Sequence, residues 1–98
     1  MINSFQDNNL ESCWREDRCD NLRSELRQPV RAKLDIMDLV SSVDELGAIP
    51  GCRLEPLHGR PRDRGLYTLN VYNGWRLVFR YQHGAFHDVW LKQFDEGV

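Results

Sequence analysis

The first half of the chain carries apolar residues at the spacing of amphipathic helices. Asp7 or Asn8 can cap a first short helix, which would place Leu10, Cys13 and Trp14 on one face. A second helix is predicted over about residues 22–41, where Pro29 either kinks the helix or occupies the first turn of a shorter one. The apolar positions of this second helix recur every three or four residues: Leu22, Leu26, Val30, Leu34, Met37 and Val40.

The second half alternates apolar and polar residues, which is typical of strands. The pattern predicts three strands, at about residues 66–72, 75–82 and 86–92. Turns are predicted at Asn73-Gly74 and His83-Gly84, and a shorter strand within the stretch CRLEPLHG. Helices followed by strands predict a single α+β domain over residues 1–98, with the helices packed on one face of an antiparallel sheet.

The turn at Asn73-Gly74 decides which side chains share a face of the sheet. A two-residue turn would pair Val71 with Arg76 and would mix apolar and charged residues on both faces. A three-residue loop with Gly74 in the left-handed conformation would pair Val71 with Trp75 and would separate them. Because a slip of one residue inverts every side chain, the apolar pattern predicts the three-residue loop.

The polar face of this hairpin is expected to be open to solvent, since the helices must cover the apolar face. It carries Arg76 and Arg80 beside Thr68 and Asn70, an arrangement that suits recognition of phosphate. The alternative is a solvated strand face whose charges discourage edge pairing.

Charge is distributed unevenly along the chain. Residues 1–47 hold six basic and ten acidic groups, net −4, whereas residues 48–98 hold seven basic and five acidic groups, net +2. Within residues 53–80, six arginines accompany only two acidic residues. This local excess of positive charge permits a nucleic-acid partner without requiring one.

Composition excludes several classes of protein. No apolar run approaches the roughly 20 residues that span a membrane, and the opening residues do not read as a secretory signal, so a cytoplasmic location is expected. Cys13, Cys19 and Cys52 form no recognisable zinc motif with the histidines and are expected to be reduced structural cysteines. His83 and His87 are expected to be structural, and no metal or small-molecule cofactor is predicted.

Four stretches, in order along nearly the whole chain, carry a family resemblance. They are MINSF followed by NNLESCW, then RAKLDIMDLVSSVDEL, then PGCRLEPLHG, and finally YTLNVYNGWRLVFRYQHGAFHDVWL. Together they resemble the HigB branch of the RelE/ParE toxin superfamily of bacterial toxin–antitoxin systems. The last stretch, with its turn and "WR" strand, is the most specific.

The resemblance implies two helices against a small curved antiparallel sheet. It also implies an mRNA endonuclease that works on translating ribosomes and is neutralised by a helix-turn-helix antitoxin similar to HigA. Two alternatives stay open: a catalytically weak or inactive binding module that acts through its antitoxin, and a gyrase poison like those of the ParE branch.

Metal-free RNA cleavage needs a cation at the phosphate and two groups that move protons. Arg76 matches the motif arginine of the family and suits the cation's role, the alternative being a structural salt bridge. Glu55 stands where relatives carry histidine or glutamate and could act as the base. His58 stands where relatives usually carry lysine, and an imidazole titrates near neutral pH. The alternatives are that Glu55 pairs with Arg53 or Arg80 and that His58 only shapes a turn.

Two further regions bear on RNA binding. The loop after His58 carries three arginines suited to RNA phosphates or antitoxin carboxylates: Arg60, Arg62 and Arg64. Relatives commonly end in Asp-Tyr-His, which contributes to catalysis, whereas the aligned residues here are Gln93, Phe94 and Asp95. Phe94 keeps a ring for stacking on a base but lacks the hydroxyl, so either proton transfer has moved to Glu55 and His58, or catalysis is weak or lost.

Overall fold

Helices precede strands in the computed structural model, which describes residues 1–57 and 65–94. The helices in these ranges are α1 (Asn8–Glu16), α2 (Ser24–Leu39) and the short α3 (Val43–Gly47). The strands are β1 (Glu55–Pro56), β2 (Leu66–Tyr72), β3 (Trp75–Gln82) and β4 (Ala85–Gln93). The predicted α+β class is confirmed, and the predicted limits of β2 and β3 agree with the structure.

Local sequence accounts for the ends of the helices. The Asp7 carboxylate accepts hydrogen bonds from the backbone N–H groups of Asn9 and Leu10, over 2.9 and 3.3 Å, and so caps α1. Pro29 lies inside α2 and not in its first turn, which decides between the two predicted positions. There the proline removes one backbone donor from the helix.

The sheet has the strand order β1-β2-β3-β4 within the described residues, and every neighbouring pair is antiparallel. The chain's first residues lie beside β4, where Ile2 and Phe5 form isolated parallel bridges with Phe86 and Val89. The four strands β1 to β4 thus follow one another across the sheet in sequence order, and each runs antiparallel to its neighbours.

The β2–β3 hairpin combines the predicted strand register with a different turn. Leu69 pairs with Leu77 and Asn70 with Arg76, as the three-residue loop required. At the turn, however, Tyr72 pairs with Trp75, so the turn has two residues and Val71 forms a bulge instead. Positive φ angles at both turn residues, 49° and 86°, are those of a type I′ turn, whose twist suits a hairpin. The predicted three-residue loop is wrong, but the predicted division of the faces is right because the bulge restores it.

A second irregularity lies between β3 and β4. Val78 pairs with Trp90 and Arg80 with His87, so β4 holds one extra residue between these pairs. Asp88, in this extra stretch, has φ 55°, a left-handed conformation that occurs at bulges. This bulge shifts the pairing of β4 with β3 by one residue beyond Arg80, on the side that includes the pair Val78 and Trp90.

The helices pack on one face of the sheet. Buried apolar side chains from α1, α2 and the strands form one core. Its fully buried members include Leu10, Val30, Leu34, Met37, Leu69, Leu77, Phe79, Phe86 and Val89. Because these residues recur at helical spacing and at alternate strand positions, the core is the one that the hydrophobic pattern predicted.

The centre of the opposite face of the sheet is not open to solvent, contrary to the prediction. Thr68 and Arg76 expose only 4% and 6% of their surface, and Val78 exposes none. The expectation was wrong because alternation along one hairpin shows only which face a residue occupies. It says nothing about segments from elsewhere in the chain that cover that face.

The cysteines also differ from expectation. Cys13 and Cys19 form a disulfide, with their Cα atoms 4.3 Å apart. The chain reverses at Asp17, which ends α1 with φ 58°, and this reversal returns Cys19 to the helix. Cys52 is free and buried as expected, and burial raises the pKa of its thiol, an effect that the charge of Lys33 partly opposes.

Within residues 1–57 and 65–94, no group of His, Cys, Asp or Glu residues could hold a metal ion. None of the helices in these ranges is both long and apolar enough to cross a membrane.

Candidate functional site

Cross-strand pairing builds two rows of side chains on the face that lies away from the helices. Paired residues in an antiparallel sheet project from the same face, with Cβ atoms about 4.5–5.5 Å apart. One row runs through Glu55, Thr68, Val78 and Trp90, and the next through Asn70, Arg76 and Lys92. Glu55, Arg76 and Lys92 therefore share one face of the sheet although 37 positions of sequence separate the first from the last.

Arg76 is the buried centre of this face. Its Nη2 donates a hydrogen bond to the backbone carbonyl of Arg53 over 2.7 Å. Its Nη1 lies 3.9 Å from a carboxylate oxygen of Glu55. Its Nε is buried and has no hydrogen-bond partner among the described residues. Among the described residues, part of the donor capacity of this guanidinium is therefore unused.

The segment before β1 explains why Arg76 is buried. The backbone N–H of Asn70 donates to the carbonyl of Cys52 over 2.8 Å, which holds this segment against β2. The next residue, Arg53, has φ 46°, and its carbonyl accepts the Arg76 hydrogen bond. A short connection thus supplies the arginine with one neutral partner and brings Glu55 to within 3.9 Å.

Glu55 remains accessible. Its side chain is 55% exposed, on a two-residue strand at the edge of the described sheet. Among the described residues its nearest cation is Arg76, and not Arg53 or Arg80 as the alternative interpretation held. A carboxylate that is open to solvent and close to a buried guanidinium can accept a proton from a ligand bound by that guanidinium.

Phe94 directly follows β4, two positions after Lys92 of the Arg76 row. Its backbone N–H donates to the carbonyl of Gly74 over 2.8 Å, so the turn of one hairpin holds the end of the last strand. A Cβ atom at Gly74 would lie 2.9 Å from the Phe94 carbonyl, which explains the glycine there. The Phe94 ring is half-buried, and Lys92 Nζ lies 5.3 Å from its centroid.

Arg80, His83 and His87 lie away from the Arg76 row. Arg80 is half-buried on the same face as Arg76, opposite Leu66 and His87. His87 lies 3.0 Å from the side-chain amide of Asn3 and 3.3 Å from the carbonyl of Gln82, contacts that suit a structural role. His83 is an exposed turn residue.

A model of one toxin family matches residues 3–94 of the chain, and its description is a RelE-like toxin of the type II toxin–antitoxin system HigB. The chain belongs to the HigB-like toxins. Toxin HigB-1 of Vibrio cholerae serotype O1 is 28% identical over 92 residues, which cover 93% of this chain and 95% of that protein. This HigB-like chain is thus a toxin of a type II toxin–antitoxin system, and an antitoxin is its partner.

Several predicted site residues of the HigB-like chain lie outside the described residues. They are His58, the three loop arginines Arg60, Arg62 and Arg64, and Asp95 of the tail. The structure brings Glu55 and Arg76 together and places Phe94 at the end of the same face. The roles of all these residues stay predictions.

Sequence reasoning missed two residues on the face of the sheet that lies away from the helices, Lys92 and Trp90. Both alternate with the apolar residues Val89 and Leu91, and this alternation was the available signal. It could not show that Lys92 lies opposite Arg76, because the bulge in β4 sets that register.

Proposed function

We propose that this HigB-like toxin is an endoribonuclease that cuts mRNA on translating ribosomes without a metal ion. The observation that carries the proposal is the buried guanidinium of Arg76, which among the described residues has one carbonyl partner, a carboxylate at 3.9 Å and an unpaired Nε. Burying a charge costs free energy unless partners compensate it, and here the partners are incomplete. A phosphate group would complete them with a planar, bidentate contact.

Arg76 would stabilise the transition state of RNA cleavage. In this reaction the 2′-oxygen attacks the adjacent phosphorus, and negative charge accumulates on the equatorial oxygens. A fixed cation that is already desolvated needs little reorganisation to meet this charge, which is the condition for strong electrostatic catalysis. The hydrogen bond to the Arg53 carbonyl holds the guanidinium in place without neutralising it.

Glu55 would act as the general base that removes the proton of the attacking 2′-hydroxyl. Its exposure would let substrate reach it, and its 3.9 Å separation from Arg76 would let base and cation act on one phosphate. As the bond from phosphorus to the 5′-oxygen breaks, that oxygen needs a proton, which we assign to His58. The products are a 2′,3′-cyclic phosphate and a 5′-hydroxyl, so the proton taken by Glu55 is balanced by the one that His58 gives.

The remaining predicted residues would bind RNA. Arg80 shares the face of Arg76, Phe94 offers a ring for stacking on a base, and the arginines of the loop after His58 would contact phosphates. The toxin would act in the cytoplasm, where ribosomes translate, and its antitoxin would be a helix-turn-helix protein.

Mapping RNA ends on translating ribosomes tests the proposal. Wild type should produce new ends within codons of the translated message. Arg76→Met and Glu55→Gln should each lower the cleavage rate by about 10²–10³-fold, the usual effect of removing one electrostatic or acid–base group. Glu55→Gln keeps the size of the side chain and removes only its charge and its basicity.

Arg31→Met is the matched control, because it removes an arginine on the helix side of the protein. This variant should cut messages at the wild-type rate whenever it is folded. Cleavage by Arg76→Met at the wild-type rate would show that the arginine is not catalytic.

A catalytically weak or inactive toxin-fold binding module is the second candidate. Gln93 and Phe94 favour it, because they stand where relatives commonly carry an aspartate and a tyrosine. Such a module would bind its antitoxin and leave messages intact. Harmless overexpression of folded wild-type protein, with no new RNA ends, would select this function over the first.

A further inference from the structure

Lys92 lies directly opposite Arg76 across the β3–β4 ladder. Both side chains therefore project from the same face with their Cβ atoms about 5 Å apart. Like charges placed opposite each other destabilise a sheet. The pairing keeps two permanent cations together where a neutral residue would serve the fold better.

The described surroundings of Lys92 supply no carboxylate partner. No carboxylate of the described residues lies within salt-bridge distance of its Nζ. Its described neighbour is the ring of Phe94, 5.3 Å away, an interaction that orients an ammonium group but leaves its charge available. The single described carboxylate near the pair is Glu55, and it is 3.9 Å from Arg76.

The two cations differ in a way that suits a shared polyanion. Arg76 is buried and held by the Arg53 carbonyl, while Lys92 is exposed at the end of β4. A buried fork fixes one phosphate in a defined orientation. A flexible ammonium group beside it adds attraction for the backbone without demanding one geometry.

We propose that Lys92 binds the phosphate backbone of the RNA substrate beside Arg76, as a substrate-binding residue that does not transfer protons. The inference rests on the proposed function, since it names a further residue of the same site. Phe94 positions Lys92 through its ring, so the altered tail of this toxin contributes to substrate binding although it lacks the tyrosine hydroxyl.

The first test measures the affinity for a short fluorescent single-stranded RNA between about 50 and 200 mM salt. Each neutralised phosphate contributes about 0.7 to the slope of log affinity against log salt. Lys92→Gln should lose about tenfold in affinity and lower this slope by about 0.7. Lys92→Arg keeps the charge and should keep both the slope and the affinity within about threefold, because the ammonium makes no bidentate contact.

Lys33→Gln is the matched control, since Lys33 is the other lysine of the chain and its Nζ donates to the Gly51 carbonyl over 3.1 Å. Removal of this charge should leave the slope unchanged. A slope for Lys92→Gln equal to that of wild type, or wild type without measurable affinity for RNA, overturns the inference.

The second test separates this inference from the proposed function. In cleavage on ribosomes, Lys92→Gln should raise KM about tenfold and change kcat little, whereas a proton-transfer residue would lower kcat. If wild type cuts messages and Lys92→Gln equals it in KM and in salt slope, the inference about Lys92 is refuted and the proposed function stands. If wild type cuts nothing, and Lys92→Gln lowers the salt slope of RNA binding while Lys33→Gln does not, the proposed function is refuted and the contact between Lys92 and phosphate stands.

Discussion

Replacement of Arg76 by methionine separates a functional arginine from a structural one. Methionine keeps most of the length of the side chain and removes its charge and its donors. If Arg76 serves the fold, this change destabilises the protein. If Arg76 serves a ligand, the change removes activity and leaves stability nearly intact or higher.

The contacts of Arg76 give the expected magnitude. Its hydrogen bond to the Arg53 carbonyl, 2.7 Å long, is charge-assisted and stabilises by about 1.5–3 kcal/mol. The contact with Glu55 is 3.9 Å long and reaches a half-exposed carboxylate, so it adds no more than ~1 kcal/mol.

Opposing these terms, a buried unsatisfied donor such as Nε costs about 1–3 kcal/mol, and desolvation of the charge costs several more. The Arg53 carbonyl belongs to an exposed residue and can bond to water after the substitution. The free energy of unfolding of Arg76→Met should therefore lie within ~1 kcal/mol of the wild-type value or above it.

Arg31→Met is expected to show the opposite behaviour. Arg31 donates to the Cys13 carbonyl over 3.1 Å, pairs with Asp17, and stacks over the ring of Trp14 at 5.7 Å. These contacts tie α2 to the end of α1, and their loss should lower the free energy of unfolding by about 1–2 kcal/mol. In a domain of this size that corresponds to a decrease in Tm of roughly 4–8 °C per kcal/mol.

Urea unfolding followed by tryptophan fluorescence measures both variants, with linear extrapolation to water. Messenger RNA cleavage is measured on the same preparations. We expect Arg76→Met to be stable and inactive, and Arg31→Met to be less stable and active. A loss of more than ~2 kcal/mol in Arg76→Met would contradict this expectation, since it would make the arginine a net contributor to the stability of the fold.

Three other predictions concern the turns, the cysteines and the first helix. Gly74→Ala should destabilise more than Gly84→Ala in thermal melts, by about 1 kcal/mol or more. Both glycines have positive φ, but a Cβ atom at position 74 would clash with the Phe94 carbonyl oxygen at 2.9 Å, whereas one at position 84 would lie an ordinary 3.8 Å from the Ser41 carbonyl oxygen. Equal melting temperatures would contradict this. Without reductant, the unfolded chain should react with one equivalent of a thiol reagent, at Cys52, because the disulfide protects Cys13 and Cys19. The folded chain should not react, because Cys52 is buried and burial raises the pKa of its thiol. Three reactive thiols would show that the disulfide is absent. Asp7→Ala should lower the free energy of unfolding by ~1 kcal/mol, because two N–H groups of α1 lose their acceptor; an unchanged urea midpoint would contradict this.

The periodicity of apolar residues was sufficient to predict the main helices and strands of this protein. Alternation over residues 66–82 predicted β2 and β3 at the observed positions, and helical spacing predicted the buried face of α2. These features depend on residues close together in sequence, whose periodicity directly reflects which side faces the core. The resemblance of the motifs predicted the family, which the match over residues 3–94 confirmed.

The site depended on contacts that local pattern does not contain. Alternation placed Arg76 on the face away from the helices, but its burial follows from the segment at Arg53, 23 residues earlier. Lys92 lies opposite Arg76 because a bulge shifts β4 by one residue, and neither strand alone shows that shift.

The helices, the strands and the two faces of the sheet could be predicted from the sequence, because each results from the spacing of apolar residues along a short segment. Only the three-dimensional fold shows that Arg76 is buried, that Glu55 and Lys92 lie beside it, and that Cys13 bonds to Cys19. These are contacts between separate segments of the chain. Each depends on a backbone irregularity, which is either a left-handed residue, Asp17 or Arg53, or a β-bulge. A single residue of this kind redirects the chain by an amount that side-chain periodicity does not encode.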